Sequence, residues 1–276
     1  MSVTDSDGIA ALAGFALDLA RAAGEEILPL FRSRGLGVDA KAQGPAAEGG
    51  FDPVTAADRR AEARMRAMIA AAHPDHGVRG EEMAASAAAP GCPWEWVLDP
   101  VDGTRAFVCG LPTWTTLIAL LHEGRPLIGV IHQPFVGETF LGTPRGAWRI
   151  DAAGEKQQLA VRPAASLAEA RAGTTLPDIY VTPRQRAMLA GMRARTRELR
   201  YDADAYFYTM VAAGHMDIAF DTAMQPFDVA ALIPVVRGAG GVVCDWDGNP
   251  DPAAGDIIAA SSPALLEEAL AVLADD

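Results

Sequence analysis

Hydrophobic residues near the start of the chain recur at spacings of three and four, which is the pattern of an amphipathic helix. They run from Ile9 to Phe31, and Gly35 and Gly37 follow. We therefore predict a first helix over residues 9–31 that these glycines end. Residues 41–51 are rich in glycine, alanine and proline without periodicity, so they predict a mobile loop.

A second helix is predicted over residues 59–72, ahead of Pro74. Thr55 and Asp58 precede it at the spacing of a capping box, with aspartate in place of the usual glutamate. Apolar runs at residues 94–98, 115–121 and 127–132 predict three strands. The first half of the chain therefore reads as two helices and an antiparallel sheet.

The pattern changes near residue 151, where helical segments begin to alternate with short strands. We predict helices over residues 184–195, 204–213, 227–237 and 263–273, and strands over residues 217–220 and 241–245. The change divides the chain into an N-terminal part, residues 1–150, and a C-terminal part, residues 151–276.

Composition narrows the class of protein. Half of the 276 residues are apolar, which supports a buried core, and 23 lysines and arginines against 36 acids give a net charge of −13. That sign excludes a general binder of nucleic acid or of anionic membranes. The three cysteines lie too far apart for a CxxC site, and no apolar run approaches the roughly 20 residues of a membrane span. We expect a soluble cytoplasmic protein.

The segment of residues 99–104 is the most informative for chemistry. A hydrophobic strand ends in Asp99 and Asp102, with Pro100 between them and Gly103 and Thr104 directly after. Two carboxylates at a strand end suit Mg²⁺, which prefers oxygen ligands and is often completed by a substrate phosphate. The N–H groups of Gly103 and Thr104 could bind phosphate oxygens. Taken alone, the same segment is also an ordinary turn.

Three further acids lie in comparable isolated contexts, namely Asp58, Glu81 and Asp228. Each has a plain structural alternative: Asp58 and Asp228 could cap helices, and Glu81 could be a solvated loop charge. The sequence context of each acid, taken separately, leaves both interpretations open.

Four segments in order resemble the motif set of the inositol monophosphatase superfamily. They are DPVTAAD at residues 52–58, GEE at 80–82, DPVDGT at 99–104, and FDVAA at 227–231 followed by GAGG at 238–241. Residues 107–121, 133–134 and 200–206 look most similar to the histidinol-phosphate phosphatase branch. The resemblance implies an α+β fold, a layered α/β/α/β/α sandwich, and a homodimer.

The resemblance also implies a role for each acid in binding two or three Mg²⁺ ions. Glu81, Asp99 and the carbonyl of Val101 would hold the first ion. The second would be held by Asp99, Asp102 and Asp228, and Asp58 with Glu81 would support a third. Two such ions can stabilise both oxygens of an in-line displacement and activate the attacking water. Thr104, oriented by Asp58, would position that water, with Asp58, Thr104 and Glu81 as the catalytic set.

Substrate contacts are predicted at Gly103, Thr104, Asp204, Asp221 and Asp228. Histidinol phosphate carries an ammonium and an imidazole, so Asp204 and Asp221 would add charge-assisted hydrogen bonds away from the metals. Asp221 stands where the family usually has glutamate. Asp202 and Asp204 could instead simply begin a helix, where acids are favoured.

These expectations combine into a Mg²⁺-dependent phosphomonoesterase, most similar to enzymes that hydrolyse histidinol phosphate in histidine biosynthesis. Within the enzymes, the alternative is hydrolysis of inositol-1-phosphate or of a broad range of sugar phosphates by the same metals. The alternative from another class is a non-catalytic interaction protein of the same fold, since some superfamily members are implicated in binding transcription machinery.

Overall fold

The computed structural model describes residues 6–34, 38–40, 53–162, 164 and 166–273. In chain order the helices and strands within these ranges are α1 (Ser6–Ile27), β1 (Val38–Ala40), β2 (Pro53–Thr55), α2 (Ala56–Ala72), β3 (Gly77–Gly80), β4 (Trp94–Asp102), α3 (Thr104–Cys109), β5 (Thr115–His122), β6 (Arg125–Gln133), β7 (Glu138–Thr143), β8 (Gly146–Ile150), β9 (Lys156–Gln158), β10 (Arg171–Thr174), α4 (Pro183–Arg195), β11 (Glu198–Tyr201), α5 (Asp204–Ala212), β12 (Ile218–Met224), α6 (Pro226–Val229), α7 (Leu232–Gly238), β13 (Val242–Asp245), β14 (Gly255–Ala260) and α8 (Pro263–Ala271).

The strands form two large sheets and one short hairpin. The first sheet runs β3-β4-β5-β6-β7-β8-β9 and is antiparallel except for the parallel pair of β3 and β4. The second sheet runs β11-β10-β12-β14-β13, with β10 parallel to both of its neighbours and β14 antiparallel to both of its own. Strands β1 and β2 form a separate antiparallel pair within the described residues.

Helices cover both sheets in alternating layers. Helices α1 and α2 pack on one face of the first sheet, α5, α6 and α7 lie between the two sheets, and α4 and α8 cover the outer face of the second sheet. This order confirms the predicted layered α/β/α/β/α sandwich. Each sheet is thereby buried on both faces.

Strand β5 shows why its sequence is apolar without alternation. Leu117 and Ala119 face the core between the sheets, whereas Ile118 and Leu120 face the core under α1 and α2. Because successive side chains of a strand point to opposite faces, a strand covered on both faces has no solvent-exposed side that would favour polar residues at alternate positions. This double burial explains the unbroken apolar run over residues 117–121.

The predicted division at residue 150 stays a prediction. Strand β9, at residues 156–158, still pairs with β8 in the first sheet. The middle core also joins side chains from both sides of the division, for example Leu117 and Phe140 with Tyr208 and Val235. The apolar residues between the sheets therefore link the two predicted parts.

The first helix is shorter than its apolar pattern predicted. Helix α1 ends at Ile27, and the chain continues in turns through Phe31. Phe31 is still buried, and Arg32, which has a positive φ of 59°, donates from its Nε atom to the carbonyl of Gly110 at 2.9 Å. The apolar spacing thus continues past the end of α1 because the turn that follows, with Phe31, packs on the same core.

The helix predicted over residues 227–237 is two helices. Helix α6 ends at Val229 and α7 begins at Leu232. Pro234 has no N–H to donate to the carbonyl of residue 230, so a continuous hydrogen-bond ladder is not possible there. This break places Asp228 on a short helix of its own.

Several short strands were not predicted from the sequence, namely β1, β2, β3, β7, β8, β9, β10, β11 and β14. Strand β4 also extends past its predicted end at residue 98 to Asp102. The loop predicted at residues 41–51 lies outside the described residues. Among the described helices, none has the length and apolar content needed to cross a membrane.

Candidate active site

Three carboxylates from two separate elements meet at one end of the first sheet. Asp99 and Asp102 lie at the end of β4, where the pairing with β5 shifts register, and Asp228 lies on α6. One oxygen from each of the three carboxylates lies within 4.8 Å of the other two. Asp99 is only 2% exposed. This arrangement concentrates negative charge in a site that is largely shielded from water.

The cost of this arrangement is visible in the pKa values of its acids. Burial, followed by the charges of Glu81, Asp102 and Asp228, raises the pKa of Asp99 well above its usual range. Burial, followed by the charges of Asp204 and Asp228, does the same for Asp102. Like charges held together in a low dielectric favour protonation unless a cation neutralises them. The donor set of hard oxygens therefore fits a divalent metal ion.

Glu81 and Val101 line the same cavity as these acids. Glu81 follows β3, and its backbone N–H donates to the carbonyl of Leu98 at 3.2 Å. The N–H of Val101 donates to Oδ1 of Asp99 at 3.0 Å. The predicted ligands of the first ion, Glu81, Asp99 and Val101, are thus next to one another in the fold.

Thr104 and Asp58 each form hydrogen bonds within their own turn. The Thr104 hydroxyl donates to the carbonyl of Val101 at 2.9 Å. Asp58 accepts from the N–H of Thr55 at 2.9 Å and from the Thr55 hydroxyl at 2.5 Å, both at its Oδ2 atom. The orientation of Thr104 by Asp58 stays a prediction.

The environment of Asp58 differs from that of an ordinary capping residue. The predicted capping box with Thr55 is present, but the Asp58 side chain is fully buried and its Oδ1 atom has no hydrogen-bond partner. Burial, with smaller effects from Glu82 and Glu81, raises the pKa of Asp58 to about 6. Asp58 does not line the cavity itself. An unpartnered buried carboxylate oxygen is unusual and calls for a further ligand.

Asp228 likewise combines a local and a long-range role. It accepts from the N–H of Gln225 at 2.7 Å, in a capping box at the start of α6. The capping alternative is therefore realised, and the same side chain also belongs to the acidic cluster. One residue here satisfies both interpretations.

The cavity has a volume of about 210 Å³, and seven acids line it. They are Glu81, Asp99, Asp102 and Asp228, which include the candidate metal ligands, and a second group of Asp202, Asp204 and Asp221. The two groups are neighbours, since the charge of Asp204 raises the pKa of Asp102. The second group is therefore available to a part of a substrate that lies beside the candidate metal ligands.

Asp204 has an unusual backbone conformation that directs it toward the metal side. Its φ is 42°, in the left-handed region, and a Cβ added to Gly103 would lie 2.9 Å from its Oδ2 atom. The N–H of Ala205 donates to Oδ2 of Asp102 at 2.9 Å, so an acid from the first sheet contacts the start of α5. Burial, followed by the charges of Asp221 and Asp202, raises the pKa of Asp204 to about 7.

Asp221 is held by a buried network behind Asp204. It accepts from the Thr174 hydroxyl at 2.9 Å, the Thr175 N–H at 2.7 Å and the Tyr208 hydroxyl at 3.2 Å. Burial raises its pKa to about 6, although these hydrogen bonds act in the opposite direction. Asp221 is 3% exposed. Although aspartate is one methylene shorter than glutamate, the Asp221 side chain is thus firmly positioned in the cavity wall.

Sequence reasoning missed two residues that support these acids. Glu62 is fully buried beside the Glu81 loop, and Tyr208 donates to Asp221. Each lies four residues after a predicted site acid, Asp58 and Asp204 respectively, and therefore on the same helical face. This four-residue spacing from a predicted site acid was the feature of the sequence that could have identified Glu62 and Tyr208.

The chain is similar over most of its length to known phosphatases. The profile of the inositol monophosphatase family matches residues 10–275. A histidinol-phosphatase from Chlorobaculum parvum is 33% identical over 261 residues, which cover 94% of this chain and 95% of that protein. An inositol-1-monophosphatase from Mesorhizobium japonicum is 31% identical, over 74% of this chain and 76% of that protein.

Two further comparisons extend this result. A Nus factor SuhB from Pasteurella multocida is 31% identical over 79% of this chain and 81% of that protein. Among solved structures, an inositol monophosphatase from Zymomonas mobilis is 33% identical, with a TM-score of 0.79 over 95% of this chain and 97% of that chain. Relatives with different names are thus similar to nearly the same degree, which indicates a family and leaves the substrate open.

We expect the metal-free protein to lose stability as the pH rises from about 6.5 to about 8. The pKa of Asp204 is raised from 3.8 to about 7, and those of Asp99 and Asp102 are raised well above their usual range, so the folded state holds protons that the unfolded chain has already lost. Stability therefore falls as these groups ionise. A loss of about 1 kcal/mol would lower the melting temperature by roughly 2–4 °C.

The measurement is thermal unfolding in chelator across this pH range, repeated with saturating Mg²⁺ as the control. Bound cations should flatten the dependence. Two histidines have the opposite effect on the dependence of stability on pH. The pKa values of His76 and His132 are lowered from 6.5 to about 4, so they make stability rise with pH, but only below about pH 6.5. A melting temperature in chelator that is constant or rises over this pH range would contradict the raised pKa values of Asp99, Asp102 and Asp204.

Proposed function

The chain belongs to the inositol monophosphatase family, and from the acids around its cavity we propose that it is a Mg²⁺-dependent phosphomonoesterase whose substrate is histidinol phosphate. The products would be histidinol and phosphate, a step of histidine biosynthesis. The observation that supports this choice is the second acidic group, Asp202, Asp204 and Asp221, which lines the same cavity as the candidate metal ligands.

The metal side of the cavity supports the phosphatase part of the proposal. Two or three Mg²⁺ ions would be held by oxygen ligands from Glu81, Asp99, Val101, Asp102 and Asp228, with Asp58 nearby. When bound there, Mg²⁺ would neutralise phosphate charge and make the attacking water more acidic. The N–H groups of Gly103 and Thr104 would donate to the phosphate oxygens, and the Thr104 hydroxyl would help to orient the water.

The second acidic group supports a cationic substrate. The carboxyl of Asp204, with a pKa raised to about 7, gains most from a neighbouring positive charge, because a cation would relieve the repulsion from Asp221 and Asp202. Histidinol carries an ammonium group and a titratable imidazole, which can form charge-assisted hydrogen bonds with carboxylates. A neutral polyol such as inositol offers hydroxyl donors only.

A second candidate is hydrolysis of inositol-1-phosphate or of sugar phosphates in general. Its support is that the inositol-1-monophosphatase from Mesorhizobium japonicum is 31% identical to this chain, close to the value for the histidinol-phosphatase. The metal ligands would be the same, so only contacts on the Asp204 side would differ. The non-catalytic alternative rests on the similarity to a Nus factor.

These candidates are separated by initial rates on histidinol phosphate, inositol-1-phosphate and fructose-1,6-bisphosphate, each with Mg²⁺ and with chelator. We expect kcat/KM for histidinol phosphate to exceed the others by about 10-fold or more, as one to two charge-assisted hydrogen bonds allow. Equal values would favour the broad phosphatase. A Mg²⁺-saturated protein inactive on all three would favour the interaction protein.

The homodimer implied by the family resemblance also remains a prediction. Light scattering on the purified protein measures its mass directly, against 28.9 kDa for one chain. A mass of a single chain at micromolar concentration would contradict it.

Replacing Asp58 with asparagine tests whether this residue acts in catalysis as well as in capping. An asparagine oxygen can still accept from Thr55, so the helix start is preserved. We expect kcat to fall by roughly 10–100-fold, as for loss of a residue supporting a metal site, with a much smaller change in KM. Steady-state kinetics at saturating Mg²⁺ provide the test, and an unchanged kcat would mean that Asp58 only caps α2.

A further inference from the structure

We propose that Glu62 is a positioning residue that fixes the backbone on both sides of Glu81 and so sets the affinity of the metal site. This inference rests on the proposed role of Glu81 as a metal ligand. Glu62 lies on α2, one turn after Asp58, and its side chain is fully buried. It is therefore placed between two residues of the candidate site without lining the cavity itself.

The carboxylate of Glu62 accepts two backbone hydrogen bonds from the loop that follows Glu81. The N–H of Glu82 donates to its Oε2 atom at 2.8 Å, and the N–H of Met83 donates to its Oε1 atom at 3.2 Å. These donors belong to the two residues after Glu81. Hydrogen bonds to a charged acceptor are stronger than those to a neutral one. The carboxylate of Glu62 therefore holds this loop more firmly than a neutral side chain at the same position of α2 would.

The residue before Glu81 is packed against the same carboxylate. A Cβ added to Gly80 would lie 2.1 Å from Oε1 of Glu62, a distance no side chain could occupy without displacing it. Glycine therefore permits the carboxylate to lie against the last residue of β3. One side chain thus contacts the chain immediately before and immediately after Glu81.

Arg66 completes this contact from the surface side. Its Nε atom donates to Oε1 of Glu62 at 2.7 Å, and its guanidinium also donates to the carbonyl of Met83 at 3.1 Å. The Arg66 side chain is 16% exposed, whereas that of Glu62 is 0% exposed. The arginine therefore neutralises the buried carboxylate and binds the same loop.

A purely structural function would not require this chemistry. A buried charge is costly unless it is paired and hydrogen-bonded, and a hydrophobic residue could anchor α2 to the sheet without that cost. Glu62 instead directs its acceptor oxygens to the loop of one candidate ligand. Residues that orient the ligands of a metal site change its affinity when they are replaced, typically by 10–100-fold.

The test uses the full chain with Glu62→Gln, which keeps the size and shape of the side chain but removes its charge. We expect the dissociation constant for Mg²⁺, measured by titration calorimetry without substrate, to rise by about 10–100-fold. We also expect faster hydrogen exchange at the amides of Glu82 and Met83 in chelator. The matched control is Asp217→Asn, which changes another fully buried carboxylate that pairs with an arginine, Arg162, and accepts a backbone N–H, from Arg171, away from this loop; both of its readouts should equal those of the wild type.

These readouts separate positioning from stability. If Glu62 only stabilised the fold, Glu62→Gln would lower the melting temperature but leave the Mg²⁺ affinity of the folded protein unchanged, and that result would overturn the proposal. Failure of the wild type to bind Mg²⁺ would also overturn it. If instead the wild type binds Mg²⁺ and Glu62→Gln weakens that binding, but no phosphomonoester is hydrolysed, the proposed function fails and this inference stands.

A second variant applies if Glu62→Gln does not fold. Arg66→Met keeps the aliphatic stem at a partly exposed position but removes both the ion pair and the donor to Met83. We expect a change in the same direction, with Mg²⁺ affinity lower by about 3-fold or more, at the weak end of such supporting contacts. Wild-type affinity together with wild-type amide exchange in Arg66→Met would overturn the proposal.

Discussion

Asp99→Asn should lower the phosphatase turnover by about 1000-fold or more, and it should stabilise the protein when metal is absent. The first effect is expected because Asp99 is the predicted ligand shared by two ions, and loss of a single well-placed stabilising group in an active site already costs about 100- to 1000-fold. The second follows from the repulsion of Asp99 by Glu81, Asp102 and Asp228.

The two effects of opposite sign make this prediction specific. Asparagine can still accept the N–H of Val101 at Oδ1, so the local turn is expected to persist. Turnover is measured at saturating Mg²⁺, and the melting temperature is measured in chelator near pH 8. Asp18→Asn, on an exposed side chain paired with Arg21, is the control and should change neither. Near-normal turnover of Asp99→Asn would refute the metal assignment.

Asp204→Asn should discriminate between substrates. We expect kcat/KM for histidinol phosphate to fall by about 10–100-fold, the value of a hydrogen bond to a charged group, and that for inositol-1-phosphate to change by less than about 3-fold. Asparagine is well suited to this test because it tolerates the positive φ of residue 204. The fold of the cavity is therefore expected to survive.

Asp202→Asn is the matched control for Asp204→Asn. Asp202 lines the same cavity and also has a positive φ, at 73°, so its replacement removes another acid under the same backbone constraint. A general field effect would lower kcat/KM for histidinol phosphate to a similar extent in both variants. Equal losses for the two phosphate esters in Asp204→Asn would remove its proposed role in recognition and favour the broader phosphatase.

Local signals in the sequence were reliable where near neighbours determine the structure. Thr55 and Asp58 form the predicted capping box because its hydrogen bonds join residues three apart. The apolar run of β5 identified a strand because both of its faces are covered. The layered fold followed from the family resemblance, and the structure confirms it.

Elements that depend on distant partners were missed or misplaced. Strands β10 and β11 have only four residues each and owe their conformation to pairing within the second sheet. The break between α6 and α7 has a local signal in Pro234, but the apolar pattern on both sides obscured it. The spacing of Glu62 from Asp58 marked it only as a residue on the same face of α2, and its contacts with Gly80 and the following loop became visible only in the folded chain.

The amino-acid sequence by itself determined the family and the layered fold, and it supplied the acids that line the cavity, since these follow from residue type and order. Only the tertiary structure decided how the acids act on one another. It turned Thr104 toward Val101, joined Asp102 to the start of α5, and directed Asp204 toward Gly103. The reason is physical: burial and charge repulsion depend on distances in space, so the raised pKa values that call for a cation arise only once the chain has folded.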